Sequence, residues 1–416
     1  MNADTAVPAP PAPGADGPRR AAPIPRNVVA LGWVSLLTDV STEMIIPVLP
    51  LFVTGTLKAS VASLGVIEGV AESTASLLRI GSGWLSDRIG RRKPFLMFGY
   101  GLSTVAKAGM GIAGSWGAVL ALRFSDRVGK GLRNPPRDAL IADSVEPQHL
   151  GRAFGFHRAL DTTGAAIGPL AAFLMLRAFP GQYRRIFLAS AVPAVLALVV
   201  IALFVNAPRH VRAAARSAAS KSGALAPAYY RFLVVAGVFA LASSSMAFLL
   251  LLASRVGIPA DRVPLVYLVY NLVYAALSWP IGTLSDRIGR RPMLLAAYLL
   301  FALIYAALAW RATPLLVVGG FVLLGLHSAL LEGSQRSLLG DLAARESRGT
   351  AFGLYYTVVG AALLPASALA GWLWQRFGTR ATFGIDAALA LVAALLFAWL
   401  LPSRGEWGDR HGAAAG

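Results

Sequence analysis

Four carboxylates attract attention because they lie inside long apolar stretches of the sequence. Asp39 and Glu43 are four residues apart, and so are Glu68 and Glu72. If these stretches are helical, each pair occupies one helical face. Two carboxylates one turn apart in a medium of low dielectric resist ionising together, so one of them can bind and release a proton near neutral pH. The pattern predicts proton-binding chemistry.

Basic residues in the same apolar stretches leave two other readings open. A guanidinium presents a planar fork that matches carboxylate or phosphate oxygens, so Arg123 can select an anionic substrate, with Arg79 and Lys107 as further cations. Alternatively, the acids only neutralise these cations and carry nothing. Glu72 and Arg79 share a face and are expected to pair. Glu68 has no obvious local cation and Asp39 lies near mid-span, so these two are the expected proton carriers.

A third candidate is an aromatic face. Tyr267, Tyr270 and Tyr274 follow one another at the spacing of one helical face, with Asn271 beside them. Such a face can stack an apolar or aromatic substrate. Packing between helices explains the same pattern equally well.

The composition shows what kind of protein must position these residues. Of the 416 residues, 56% are hydrophobic and 14% are charged, and the mean hydropathy is +0.63. A water-soluble domain of this length cannot bury so much apolar surface in one core, so lipid is the expected solvent. The net charge of +18 then reflects membrane topology, with no nucleic acid expected as a partner.

No pattern in the sequence predicts catalysis. The chain has no cysteine, which excludes disulfides and thiol nucleophiles, and its five histidines lack metal-site spacing. There is also no phosphate-cradling loop and no nucleophile paired with a base. We therefore expect neither an enzyme nor a cofactor or metal.

Apolar runs long enough to span a bilayer recur along most of the chain, because a spanning helix needs ~20 largely apolar residues. The predicted spans are 27–55, 61–84, 94–114, 117–134, 153–176, 185–206, 230–253, 263–283, 292–310, 314–333, 351–374 and 381–401. Residues 1–26 and 403–416 are predicted to be tails, the first of them disordered. Residues 207–229 have the composition of a linker.

The distribution of basic residues predicts the orientation. Lys and Arg are more frequent in the loops on the side of the chain termini than in the loops on the other side. The positive-inside rule then places both termini in the cytoplasm. The charges of the fourth predicted span, Arg123 among them, must face protein or water.

An internal repeat relates the two halves. The sequence Ser-Asp-Arg-Ile-Gly-Arg-Arg occurs at 86–92 and again 199 positions later, at 285–291, and a shift of 198 places Asp143 on Asp341. The repeated positions are Gly83, Asp87, Arg88, Gly90, Arg91 and Arg92, matched by Gly282, Asp286, Arg287, Gly289, Arg290 and Arg291. Two parallel repeats are typical of transporters whose halves rock around a central site.

The fold predicted from this repeat is an all-α membrane protein of twelve transmembrane helices. Two pseudo-symmetric six-helix bundles, residues 27–206 and 230–402, are expected. The repeated loops are expected to act as gates through Asp87 and Arg91, whereas Arg92 serves mainly as a topology anchor.

Residues 83–93 match the motif G-x-x-x-D-R-x-G-R-R-[RK], and residues 27–402 thereby resemble the major facilitator superfamily. The second copy departs from the motif at Pro292. The resemblance implies that Asp87 faces the start of another helix, and the first turn near Gly353 would attract it.

A second motif points within that family toward proton-coupled exporters. Gly164, Gly168 and Pro169 supply the first part of G-x-x-x-G-P-x-x-G-G, whereas Ala172 and Phe173 replace its closing glycines. Close helix packing is the alternative explanation of these glycines.

The leading hypothesis is a bacterial-type inner-membrane exporter, expected as a monomer, that exchanges a small drug-like molecule for protons. An importer or exporter of small anions is one alternative. A receptor or scaffold that keeps the fold without transport is another.

Overall fold

The computed structural model describes residues 24–89, 91–146, 149–206, 225–343 and 347–401, without the surroundings of Ile80, Gly83, Trp84 and Asp87. Every regular element in these ranges is a helix. The N-terminal half contains α1 (Arg26–Ile45), α2 (Leu49–Leu51) with a π-helical turn (Phe52–Thr56), α3 (Val61–Ile89), α4 (Arg92–Met110), α5 (Trp116–Asp143), α6 (Leu150–Ala178) and α7 (Tyr183–Phe204). The C-terminal half contains α8 (Pro227–Ala242), α9 (Met246–Arg255), α10 (Val263–Ile288), α11 (Arg290–Trp310), α12 (Pro314–Leu342) and α13 (Arg348–Leu400).

Within the described ranges, nine helical segments are long and apolar enough to cross a membrane. The predicted all-α membrane fold is confirmed. Helices α4 and α5 occupy the third and fourth predicted spans but are not among the nine. Helix α13 contains the last two predicted spans, joined at Gly378, whose φ of +81° interrupts the helix. The count of twelve crossings remains a prediction.

Several boundaries differ from those predicted, and α12 for example extends past the predicted end at 333 to Leu342. Helix α5 continues through Pro135 and Pro136 to Asp143, because it packs along α3 and α4 over its whole length. The predicted span 230–253 lies within one apolar segment, Pro227–Arg255, but residues 243–245 interrupt its helix between α8 and α9. Serine side chains compete for backbone hydrogen bonds, and here the Ser245 hydroxyl caps α9 by accepting from the amide of Ala247.

The helix ends define two faces of the molecule. Near the start of α1, Asn27 donates to the Asn206 carbonyl at 2.7 Å, just beyond the end of α7. In the other half Arg291 donates to the Ala398 carbonyl near the end of α13, at 2.9 Å. We call this side of the molecule, where Arg26 and Leu400 lie, the terminal face, and the opposite side the far face.

The helix contacts of one half recur in the other, which supports the predicted six-plus-six division. Helix α1 packs on α6 as α8 packs on α13, and α3 packs on α5 as α10 packs on α12. Between the halves, α3 packs against α13 and α6 against α10.

The α3–α13 contact is close because small residues lie in it. A Cβ atom added at Gly65 would lie 2.3 Å from the Ser367 carbonyl oxygen, and one at Gly371 would lie 2.8 Å from the Val61 oxygen. Farther from the far face, the Ser73 hydroxyl donates to the Gly360 carbonyl at 2.6 Å. These contacts close the interface between the halves near the far face.

Replacing Gly65 by alanine should therefore destabilise the protein, because the added methyl group collides with the backbone of α13, which can move away only at a cost in free energy. Overpacking of this kind costs ~1–3 kcal/mol. We expect a lower melting temperature for the purified Gly65→Ala protein. Gly81→Ala on the same helix is the matched control, since nothing lies within 4 Å of a Cβ there. Equal melting temperatures for the two variants would contradict the described interface.

Candidate functional site

A cavity of about 770 Å³ lies between the two halves. Its lining extends from Glu43 and Tyr267 to Gly349 and Arg336, which are exposed near the terminal face. Six cations and five carboxylates line it: Arg79, Lys130, Arg133, Arg137, Arg158, Arg336, Asp39, Glu43, Asp138, Asp161 and Glu332. Because α3 and α13 close the far side, the cavity is accessible from the terminal face.

The glycines of the second motif, Gly164 and Gly168 on α6, set the distance between α1 and α6 at two of the predicted acids. A Cβ atom at Gly164 would lie 3.0 Å from the Asp39 Cβ, and one at Gly168 would lie 2.6 Å from the Glu43 Cβ. Pro169 is buried beside them. Close helix packing, the alternative explanation of this motif, is what the geometry shows, and its effect is to press both acids against α6.

Glu43 brings the predicted acidic and aromatic sets together. The side chains of Tyr267 and Asn271 on α10 approach its carboxylate. Its second oxygen, Oε2, is buried and accepts no hydrogen bond from any residue that the structure describes. Asn271 in turn donates to the Ala165 carbonyl on α6 at 2.9 Å. An acid of the N-terminal half thus faces polar groups of the C-terminal half.

Asp39 has an acidic partner that the sequence analysis did not place in the site. Its carboxyl group is in hydrogen-bonding contact with that of Asp161 on α6. Asp161 also accepts from the Ser35 hydroxyl at 2.8 Å and from Arg158 at 3.1 Å. A hydrogen bond between two carboxyl groups needs a proton between them, because an ionised carboxylate has no donor. The sequence feature that could have identified Asp161 as a site residue is its spacing from Gly164 and Gly168, which places all three residues on one face of α6.

Glu68 and Glu72 form a ladder of ion pairs with α5. Glu68 pairs with Arg123 at 2.8 Å, and Glu72 pairs with Arg127 at 2.9 Å. Glu72 thus pairs with Arg127 and not with the expected Arg79. Glu68 has no local cation, as expected, but it pairs with Arg123 of another helix, which agrees with the alternative in which the acids neutralise the cations. The pairs match because α5 presents its arginines at the same four-residue spacing as the acids of α3.

Of the three cations expected to select an anion, only Arg79 lines the cavity. Its guanidinium lies 5.8 Å from the centre of the Tyr356 ring. Arg123, only 2% exposed, is held by Glu68, and Lys107, 1% exposed, donates to Thr42 on α1 at 2.7 Å. Neither of these two lines the cavity, so the expected anion-binding role of Arg123 and Lys107 is wrong in this conformation.

Several cavity cations were missed. Lys130, Arg133 and Arg137 lie along one face of α5. The first two lie inside the predicted span 117–134, whose charges were expected to face protein or water, and Arg137 lies beyond its predicted end. Arg158 lies inside the predicted span 153–176 and Arg336 just beyond the predicted span 314–333, and the sequence analysis singled out neither.

The predicted aromatic face lines the cavity as a stack. The rings of Tyr267 and Tyr270 have centroids 5.8 Å apart, and those of Tyr270 and Tyr274 are 6.4 Å apart, with interplanar angles of 16° and 9°. The Tyr274 hydroxyl donates to Glu332 at 2.8 Å and accepts from Arg158 of the other half at 2.8 Å. Toward the terminal face, this chain of hydrogen bonds joins the halves.

The repeated gate motif lies on the terminal face, where each half forms an ion pair through arginines at neighbouring, not equivalent, positions of the repeat. Arg92 pairs with Asp143, and Arg290 pairs with Asp341 at the end of α12. Gly289 has a φ of +97°, which explains the glycine at that turn. Asp286 and Arg287 are exposed, as are Arg88 and Arg91, and nothing lies near a Cβ at Gly282. The Asp87 side chain, the surroundings of Gly83 and the residue Gly90 lie outside the described parts, so gating through Asp87 stays a prediction.

Removing one partner of the Glu68–Arg123 pair should destabilise the protein strongly. An unpaired buried charge costs ~3–5 kcal/mol, so we expect a large drop in melting temperature for Arg123→Gln and a partial recovery when Glu68→Gln is added. The comparison is Arg336→Gln, whose exposed pair with Glu332 contributes ~1 kcal/mol or less. A double variant no more stable than Arg123→Gln alone would contradict the pairing.

The comparisons with known proteins agree with this architecture. The pattern of the Major Facilitator Superfamily matches residues 31–254 and 231–415. An uncharacterised MFS-type transporter of Methanocaldococcus jannaschii is 33% identical over 90% of this chain and 95% of its own. The multidrug resistance protein MdtH of Aeromonas hydrophila is 25% identical over 86% of this chain and 92% of its own.

Among solved structures, the nucleoside transporter NupG superposes with a TM-score of 0.78 at 13% identity, covering 90% of this chain and all of that one. At that identity the likeness concerns the fold alone. The family pattern spans more than half of the chain, and a relative above 30% identity covers almost all of it. The chain therefore belongs to the Major Facilitator Superfamily and is an integral membrane transporter of that family.

Proposed function

We propose that the protein is a proton-coupled exporter of small organic molecules that works by alternating access. The observation that carries the proposal is the cavity between the halves, with Glu43 unsatisfied at its inner end and the carboxyl groups of Asp39 and Asp161 in contact. The similarity to a multidrug resistance protein supports the export direction. The protein is proposed to act as a monomer in a bacterial inner membrane with both termini in the cytoplasm, which makes the terminal face the loading side.

The mechanism follows from what holds each face. In this conformation the α3–α13 contact closes the far face, and the cavity is reached from the terminal face. Rocking of the halves would separate Gly65 from Ser367 and close the cavity at the terminal face, where Arg158 and Tyr274 already meet. The ion-paired arginines of the gate motif, Arg92 and Arg290, are proposed to stabilise one of the two conformations.

Proton coupling is assigned to the acids that lack a cation as their main partner. Glu68 and Glu72 are ionised members of the α3–α5 ladder and hold the scaffold. Glu43 has a free oxygen in the cavity, where a proton or a cationic group of the cargo can satisfy it. Because one oxygen cannot hold both, cargo and proton exclude each other. That competition is the linkage an antiporter needs.

The stacked tyrosines define the cargo further. Tyr267, Tyr270 and Tyr274 present a flat aromatic surface beside Glu43, which suits a planar apolar body carrying a positive charge.

A second candidate function is transport of small anions. The cavity contains six cations, and Lys130 takes part in no ion pair within the described chain. An anionic cargo would be bound nearer the terminal face, by Lys130 and Arg79, than a cationic one at Glu43. A receptor or scaffold without transport would give no flux of either kind.

The cargo classes are separated by two matched substitutions. Purified protein in proteoliposomes with an acidic lumen is screened with cationic, neutral and anionic aromatic compounds. We expect uptake of the cationic compounds, its loss in Glu43→Gln, and near-normal uptake in Lys130→Gln. Uptake confined to anions and abolished by Lys130→Gln would establish the second candidate and refute the first.

Neutralising the carboxyl pair tests proton coupling. For Asp39→Asn we expect loss of uptake driven by the pH gradient, because the shared proton has no site, while exchange of labelled for unlabelled cargo continues at a reduced rate. The matched control is Asp261→Asn, the same substitution in the loop before α10 and outside the cavity lining, and this variant should transport like the wild type. Full gradient-driven accumulation by Asp39→Asn would remove this pair from the mechanism.

A further inference from the structure

Asp386 on α13 is a buried carboxyl group that belongs to none of the sites above. It is 4% exposed and does not line the cavity. It lies eight residues beyond the kink at Gly378, ~12 Å along the helix and therefore inside the apolar layer.

Among the described residues, one side chain donates a hydrogen bond to Asp386 and no cation pairs with it. The Ser244 hydroxyl donates to Oδ2 of Asp386 at 2.6 Å. The titratable group facing it from α11 is the Tyr305 phenol. On α13 itself, the Thr382 hydroxyl is bonded to backbone carbonyls of Ala370 and Gly378. Within the ranges that the structure covers, Asp386 takes part in no ion pair.

An ionised carboxylate in this position would be uncompensated. One neutral hydroxyl does not replace the hydration of a charge, whereas the neutral acid has no charge to compensate and keeps the hydrogen bond from Ser244. Glu68 shows the contrast, since it is buried to the same extent but pairs with Arg123 at 2.8 Å.

The partner of Asp386 lies in the one break of the α8–α9 span. Ser244 donates to Asp386 in the C-terminal half, and the next residue, Ser245, donates to Glu68 in the N-terminal half at 3.1 Å. In this segment the Ser243 amide still donates to the Phe239 carbonyl as in a helix, whereas the Ser244 amide donates to the Ala242 carbonyl at 3.1 Å, outside the helical pattern. A movement of this segment therefore changes the hydrogen bond at Asp386 together with a contact between the halves.

We propose that Asp386, held by Ser244, is a second proton-binding site, located in the C-terminal half and occluded in this conformation. Its role in coupling rests on the proposed proton-driven function, in which it releases its proton when the α8–α9 break rearranges. The ligand is a proton alone, because the carboxyl group and one hydroxyl supply too few oxygen atoms for a larger cation.

Infrared difference spectroscopy of the purified protein in lipid tests the site without cargo or a pH gradient. We expect a carboxylic-acid C=O band at neutral pH that disappears in alkaline buffer. Asp386→Asn should lack this band, while Asp261→Asn should keep it. Ser244→Ala should keep the band but move it to higher frequency, because the carbonyl oxygen loses its donor.

The outcomes separate this inference from the proposed function. Identical spectra for wild type and Asp386→Asn, or a band that persists in alkaline buffer while the protein stays folded, would overturn the site whatever the transport assays show. Failure of gradient-driven transport in the wild type would refute proton coupling and leave the spectra unchanged. Since asparagine is nearly isosteric with the neutral acid, Asp386→Asn should fold, and the Ser244→Ala shift is a second, independent readout.

Discussion

Glu68 joins three helices of both halves at one buried point. It accepts from Arg123 on α5 and from Ser245 at the α8–α9 break, and it belongs to α3, the helix that packs against α13. In an apolar layer each of these polar groups would be costly alone, and together they satisfy one another. The position of α5, and with it the line of cations along the cavity, depends on this pair.

The same need for compensation divides the acids of the protein into two kinds. Glu68 and Glu72 have guanidinium partners within 3 Å and act as scaffold. Glu43, Asp39 and Asp386 have mainly neutral or acidic partners, so a proton or a cargo cation is the group that can complete them. The proposed proton and cargo chemistry is therefore assigned to the positions where the scaffold leaves a carboxyl group without a cation.

The two faces are held by different interactions, which suits a protein that alternates between them. At the far face the halves meet through small residues and backbone contacts around Gly65 and Gly371. Toward the terminal face they meet through Arg158, Tyr274 and Glu332, whose hydrogen bonds can be exchanged for water. In the proposed alternating-access cycle, opening either side would replace one kind of contact and keep the other.

The all-helical membrane fold, most helix positions, the family and four of the intramembrane acids, Asp39, Glu43, Glu68 and Glu72, follow from the sequence alone. Apolar runs of this length have no other stable structure in lipid, because every backbone group must be bonded internally. It also placed Tyr267, Tyr270 and Tyr274 on one face correctly. Helical spacing is a local property, and for that reason it can be read along a single chain.

Only the tertiary structure decided which charges meet. Glu68 and Arg123 are 55 residues apart, Ser244 and Asp386 are 142 apart, and no local pattern links either pair. In the sequence, the break at 243–245 was visible only as three serines in an apolar span. The hydrogen bonds that these serines make depend on the carboxylates that other helices place beside them. Pairing inside a membrane is set by helix packing, and packing joins residues that are remote in sequence.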